Sequence, residues 1–154
     1  MNTQLFELII DSKDVWGKEK EVFHLKPEKA HLACCLDNGR FNCCSIFNTS
    51  VDEITPRLLS GLYDKLVPNS VVTVVVNQPI SVMQEFDAKQ VEANAKCCGY
   101  TDVKISPIEV EDKDYKYNSL SVSFVRPERN TDPLVKVEKK EVVVEKKIAL
   151  KRKL

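Results

Sequence analysis

Glycine is scarce in this chain of 154 residues. The four glycines, Gly17, Gly39, Gly61 and Gly99, are far apart. A turn that brings backbone amides against a nucleotide or phosphate needs two or more glycines close together. No such cluster exists here, and only Gly17 follows the first predicted strand. The sequence therefore predicts no cofactor and no cofactor-binding residues.

Histidine and long apolar runs are scarce as well. His24 and His31 are the only histidines, and neither sits in a nucleophile–base pattern with a nearby Ser, Cys or Asp. No apolar run approaches the roughly 20 residues that a bilayer requires, and the amino terminus is unlike a leader or transit sequence. We therefore expect no catalytic residues, no enzyme activity, no membrane contact and a cytoplasmic location.

The six cysteines form three adjacent pairs, Cys34–Cys35, Cys43–Cys44 and Cys97–Cys98, within apolar segments. This spacing is unlike an extracellular disulfide framework, so we expect reduced cysteines in the core. The first two pairs place four soft ligands within a CC-x7-CC segment. On strands, however, neighbouring side chains point to opposite faces and cannot converge on one ion. The sequence therefore predicts no metal site.

Residues 70–77, SVVTVVVN, are β-branched on both faces. This pattern predicts a central strand covered on both sides by the flanking helices. The preceding helix begins at Thr55-Pro56 and keeps its apolar spacing to Val67. The following helix begins with a capping pattern at Ser81 and runs to Cys98, before Gly99. The chain is therefore α/β.

The amino-terminal half is less regular. Residues 4–10 predict a first strand, whereas residues 21–31 allow either a short strand or a helical turn opened by Pro27. Apolar segments at residues 31–36 and 41–47 flank an Asn-Gly turn. One alternative is that the two segments form an antiparallel hairpin. The other is that only the second segment is a strand, parallel to the central one.

Two further strands are predicted in the carboxy-terminal half. Residues 101–110 have an extended pattern, and residues 119–126 alternate apolar residues with serines. Residues 112–118 between them are predicted to be a charged loop. From residue 41 the order is therefore strand, helix, strand, helix, strand, strand, with an antiparallel hairpin at the edge.

This order is similar to the second half of class I methyltransferases. More narrowly, the chain resembles the degenerate methyltransferase-like amino-terminal domain of the anamorsin family, cytosolic iron-sulfur cluster assembly factors. The matching stretches are residues 41–48, 58–79 (LLSGLYDKLVPNSVVTVVVNQP), 97–108 (CCGYTDVKISPI) and 120–127 (LSVSFVRP). The resemblance implies a Rossmann-like, degenerate class I methyltransferase-like sheet with an antiparallel edge hairpin. None of these stretches is a catalytic motif, so it concerns fold more than function.

The anamorsin family carries its clusters on a Cys-rich carboxy-terminal region, whereas this chain has no cysteine after Cys98. Two alternatives follow: the chain is an excerpt, or it is a relative that keeps only the domain. We expect residues 1–130 to form the domain and residues 131–154 to form a basic, partly apolar tail. The tail holds eight Lys/Arg against four Asp/Glu.

Two places in the sequence predict contact with a protein partner. The apolar tail residues should become ordered on a partner, as an added strand or an amphipathic helix; they are Val142, Val143, Val144, Ile148 and Leu150. Trp16, the only tryptophan, lies in a polar loop, as a lid on the core or as an interface anchor.

These observations predict a non-catalytic interaction scaffold, similar to anamorsin in cytosolic iron-sulfur cluster assembly. The resemblance implies an electron-donating reductase as the partner. The alternative is a structural subunit of a ribosomal, cytoskeletal or respiratory assembly that reuses the same degenerate fold. Nucleic-acid binding is not expected, because the basic run at residues 151–153 is too short.

Overall fold

A computed structural model describes residues 4–17, 21–76, 82–112 and 115–128. The six strands are β1 (Phe6–Asp11), β2 (Val22–Leu25), β3 (Phe41–Phe47), β4 (Leu66–Val76), β5 (Thr101–Asp112) and β6 (Tyr115–Val125). The α-helices are α1 (Pro56–Tyr63) and α2 (Val82–Cys97), and two 3₁₀-helices span Pro27–Cys35 and Val51–Glu53.

The strands form one sheet in the order β2-β1-β3-β4-β6-β5. The first four are parallel, and β6 runs antiparallel to both β4 and β5. The predicted central strand is confirmed, because β4 lies inside the sheet with residues 71–76 buried throughout. The α/β class, the methyltransferase-like sheet and the antiparallel edge hairpin are confirmed as well.

Helices cover one face of this sheet. Leu59 of α1 and Val91 of α2 belong to one apolar cluster with Val72 and Val74 of β4. Because both crossovers advance in the same direction along the sheet, right-handed connections place α1 and α2 on the same side. The expectation that the two helices cover opposite faces is therefore wrong. A smaller cluster lies on the other face and comprises Ile9, Trp16, Phe47, Val75, Ile108 and Val110.

Helix α1 begins as predicted but ends earlier. The Thr55 side chain accepts a 3.1 Å hydrogen bond from the Leu58 amide, and Pro56 occupies the first turn. The helix ends at Tyr63, and β4 starts at Leu66, so the prediction of helix up to Val67 is wrong. Pairing of Leu66 with Phe41 of β3 overrides the helical spacing of the last apolar residues.

Two alternatives were predicted for residues 31–47, and the structure excludes the antiparallel hairpin. Residues Pro27–Cys35 form a 3₁₀-helix, so no antiparallel hairpin forms there, and β3 pairs in parallel with β1 and β4. Cys43 and Cys44 are buried as predicted. Cys34, Cys35 and Cys97 are exposed, so the expectation that all six cysteines lie in the core is wrong.

The edge hairpin is longer than predicted. Strand β5 continues to Asp112, and β6 already begins at Tyr115. The prediction of a charged loop over residues 112–118 is therefore wrong for residue 112 and for residues 115–118. Residues 113–114 lie outside the described residues. Within the described ranges no helix is long and apolar enough to span a bilayer.

Candidate functional site

The candidate site lies where β1 and β3 end side by side. The chain continues from β1 to β2 on one side, while β3 flanks β1 on the other, so the strand order reverses here. Ligands of open α/β sheets bind at such a reversal, beyond the carboxyl ends of the strands. In this chain the two ends are Asp11 and Phe47, which face each other in register.

The Asp11 carboxylate is at the centre of a hydrogen-bond network. One oxygen, Oδ1, accepts from the Lys13 amide at 2.9 Å and from the Asn48 side-chain amide at 2.8 Å, while Oδ2 accepts from Trp16 Nε1 at 2.8 Å. His24 Nε2 donates to the Asp11 main-chain oxygen at 2.8 Å. With only 2% of Asp11 exposed, the network ties the ends of β1, β2 and β3 together.

Trp16 packs in the crevice beyond the ends of β1 and β3, on the sheet face that carries the smaller cluster. Its ring stacks on Phe47, with centroids 5.7 Å apart and an interplanar angle of 18°. Only 3% of Trp16 is exposed. Of the two predictions for Trp16, its position corresponds to a lid on the core. An interface anchor would have an exposed ring, and the ring of Trp16 is buried.

The turn after β1 uses its polar groups internally. The Lys13 amide is bound to Asp11 Oδ1, and Gly17 has no positive φ. A Cβ added at Gly17 would meet nothing within 4 Å, so this glycine creates no close approach to backbone. A nucleotide-binding turn has the opposite properties, with free amides and glycines that leave room for the ligand.

A cavity of about 390 Å³ lies on the helical side of the same strand ends. Ser12, Thr49 and Ser50 line it at the ends of β1 and β3, and Asp87 closes it from α2. Its volume is near the lower limit for small-molecule pockets. Asp87 is 9% exposed, and the described residues provide its carboxylate with no hydrogen bond or ion pair. The cavity can therefore hold water or a small polar molecule.

Sequence reasoning singled out Trp16 but missed Asp11, Asn48 and Asp87. Polar residues directly after two parallel strands were the available signal, since such strands end at the same edge of a sheet. The tail candidates lie outside the described residues, namely Val142, Val143, Val144, Ile148 and Leu150.

The cysteine pairs are separated by the fold. Cys34 and Cys35 lie on the 3₁₀-helix of Pro27–Cys35, Cys43 and Cys44 on β3, and Cys97 and Cys98 at the end of α2. Among the residues that the structure describes, no three or more His, Cys, Asp or Glu side chains are grouped to hold a metal ion. Of the two pairs in CC-x7-CC, only Cys43–Cys44 lies on a strand, so the expectation that both pairs lie on strands is wrong for Cys34–Cys35.

The fold of the chain is similar to that of known methyltransferases. No protein-family model and no curated protein matches the sequence. The chain is similar to the crystal structure of a SAM-dependent methyltransferase from Archaeoglobus fulgidus, with a TM-score of 0.53 at 11% identity over 80% of this chain and 87% of that chain. The fold is methyltransferase-like.

Two further solved structures are similar to the chain. A SAM-dependent methyltransferase from Thermotoga maritima, described as a possible histamine N-methyltransferase, gives a TM-score of 0.52 at 11% identity over 82% of this chain and 84% of that chain. Haemonchus contortus phosphoethanolamine N-methyltransferase 2 gives 0.49 at 11% identity, over 83% of this chain. This methyltransferase-like chain spans about half the length of the Haemonchus protein, covering 50% of it.

Proposed function

We propose that the chain is a non-catalytic methyltransferase-like domain that acts as a protein-interaction scaffold. The observation that carries the proposal is the network at the end of β1, where Trp16 fills the crevice and binds Asp11 at 2.8 Å. In an open α/β sheet this crevice is where a nucleotide cofactor enters. Here Trp16 takes that space on the sheet face opposite the helices, while the cavity of about 390 Å³ lies on the helical face.

The residues after β1 do not fit S-adenosylmethionine, the cofactor named for several structural neighbours. The Lys13 amide is engaged by Asp11, and the single glycine of the turn, Gly17, makes no close approach. Residues 12–21 alone connect β1 to β2, which is short for a parallel crossover that carries a helix. We therefore assign no methyl-transfer step to this site.

The finer part of the proposal is a role in cytosolic iron-sulfur cluster assembly, similar to that of the anamorsin family. Its support is the likeness of residues 58–79, 97–108 and 120–127 to that family's amino-terminal domain. The partner is then an electron-donating reductase. The tail, with eight Lys/Arg against four Asp/Glu, suits an acidic partner surface, because opposite charges accelerate association.

Titration calorimetry with S-adenosylmethionine and S-adenosylhomocysteine tests the non-catalytic assignment. We expect no heat of binding with up to millimolar ligand. A dissociation constant below about 100 µM, which corresponds to about −5.5 kcal/mol, would contradict the proposal. In that case Asp87→Asn would show whether the cavity beside α2 holds the ligand, because only a ligand in this cavity would lose affinity.

Binding to the purified reductase of iron-sulfur assembly from the same organism tests the scaffold role. The full chain is expected to bind with a micromolar or lower dissociation constant, about −8 kcal/mol. Val142→Asp together with Val144→Asp should weaken binding at least tenfold, because a charge cannot enter an apolar interface. Phe86→Ala, on the exposed side of α2, is the matched control. Failure of the full chain to bind at about 100 µM would remove the iron-sulfur role.

A further inference from the structure

The three adjacent cysteine pairs have different surroundings. On β3, Cys43 and Cys44 are buried, and successive strand residues point to opposite faces. At the end of α2, the Cys98 sulfur is turned to α1, donating to the Pro56 carbonyl oxygen at 3.2 Å. Only Cys34 and Cys35 are both exposed with their sulfurs in contact, 3.9 Å apart.

The separation of these two sulfurs suits an ion that bridges them. A tetrahedral ion with metal–sulfur bonds of about 2.3 Å holds two sulfurs about 3.8 Å apart. A direct disulfide is disfavoured, because adjacent Cα atoms are about 3.8 Å apart and disulfides usually require at least about 4.4 Å. The pair therefore remains available as two thiols.

Cys34 and Cys35 are accessible to solvent and adjoin a cavity. A cavity of about 470 Å³ lies between the 3₁₀-helix and α1 and is lined by both cysteines together with Leu32, Leu58 and Arg57. At Gly61 on α1, an added Cβ would lie 3.5 Å from the Cβ of Cys34, so the helix passes close to this cysteine. A ligand that carries an apolar substituent can bind to the sulfurs and place the substituent in this cavity.

We propose that Cys34 and Cys35 form a two-thiolate chelating site for a soft, thiophilic ion. Soft thiolates favour such ions over magnesium or calcium. On binding, two S–H bonds break and two ion–sulfur bonds form, and the two protons pass to solvent without any change of oxidation state. The proposal does not depend on the scaffold role.

The site has the features of an exchange site. A structural zinc site takes four protein ligands, whereas the described residues group no third His, Cys, Asp or Glu side chain with this pair. Solvent or an incoming ligand must therefore complete the coordination. Such a site releases its ion readily to a stronger ligand.

A monosubstituted trivalent arsenical, phenylarsine oxide, is a suitable probe because it requires two neighbouring thiols. Its oxygen leaves as water with both thiol protons, so the reaction needs no oxidant. We expect the reduced full chain to take up one equivalent by intact-mass spectrometry, with peptide mapping locating it at Cys34 and Cys35. Cys34→Ser and Cys35→Ser should each lose at least tenfold in affinity.

Cys97→Ser is the matched control, since it removes one exposed thiol from the other surface pair, and it should bind like the unsubstituted chain. Circular dichroism checks that each variant is folded. Equal binding by Cys34→Ser, Cys35→Ser and the unsubstituted chain, or loss of binding in Cys97→Ser, would overturn the proposal. So would an adduct mapped only to other cysteines. Zinc competition against a chromophoric chelator should rank the same variants in the same order.

Discussion

The side-chain amide of Asn48 donates a 2.8 Å hydrogen bond to Oδ1 of Asp11 and so joins the end of β3 to the end of β1. The backbone of Asn48 adopts φ of 49°, a left-handed conformation that asparagine tolerates well. Trp16 completes the arrangement from the other oxygen of Asp11. The stability of this edge of the sheet should therefore depend on Trp16.

Trp16→Phe should keep the stack on Phe47 but leave Oδ2 of Asp11 without its indole donor. We expect a loss of about 1–3 kcal/mol in the free energy of unfolding. Trp16→Ala also opens a cavity, and the loss should reach about 3–5 kcal/mol. Urea denaturation followed by circular dichroism measures both. Phe86→Ala, at a side chain that is 62% exposed, is the control and should change stability by less than about 0.5 kcal/mol. Losses for both Trp16 variants no larger than the control's would refute the central place of this residue.

Two glycines should respond in opposite ways to alanine. Gly99 ends α2 with φ of 92°, so Gly99→Ala forces a side chain into a strained backbone and should cost at least about 1 kcal/mol. Gly17 lacks a positive φ and has open space at its Cβ, so Gly17→Ala should be neutral or stabilising by up to about 1 kcal/mol. Thermal unfolding of the two variants under identical conditions is sufficient. A clear loss in Gly17→Ala would mean that this turn does need a glycine, as a cofactor-binding turn would.

Tyr100 should make stability fall at alkaline pH. Its hydroxyl donates to the Leu59 carbonyl oxygen at 2.7 Å, and burial raises its pKa above the usual value. Because the unfolded chain ionises this group near pH 10 and the folded chain does not, the stabilising contribution is complete below pH 10 and lost above it. At pH 11 the loss should be about 1.4 kcal/mol.

Tyr100→Phe lacks the titrating group and isolates this effect. The variant should be about 1 kcal/mol less stable at neutral pH, because the hydrogen bond is gone. In urea denaturation the difference from the unsubstituted chain should then shrink above pH 9 and vanish or reverse by pH 11, because only the unsubstituted chain loses stability. A difference that stays constant over that range would show that Tyr100 ionises equally in both states.

The sequence predicted the elements whose signal is local. The valine run of β4, the Thr55-Pro56 start of α1 and the stop at Gly99 each depend on a few neighbouring residues, and the structure has all three. The end of α1 could not be read in this way. Leu66 and Val67 continue the helical spacing, yet both belong to β4, and only the pairing of that strand with β3 and β6 decides between the two states.

The structure around the first cysteine pair and at the candidate site also depends on more than neighbouring residues in the sequence. A short apolar segment such as residues 31–36 suits a strand or a helix equally well, so the 3₁₀-helix of Pro27–Cys35 could not be distinguished from a hairpin strand. The network of Asp11, Trp16 and Asn48 joins residues up to 37 positions apart. It follows from the adjacency of β1 and β3, which no local pattern specifies.

The long edge strand β5 affects whether copies of this chain can pair with one another. Among the described strands β5 pairs only with β6, so twelve residues leave one side of their backbone open. Such an edge invites a second copy to add its own strand. Pro107 lacks an amide donor in the middle of the strand, and exposed Lys104 and Glu109 place charges beside it. Pro107 and these two charges therefore disfavour the addition of a second copy's strand along the open side of β5.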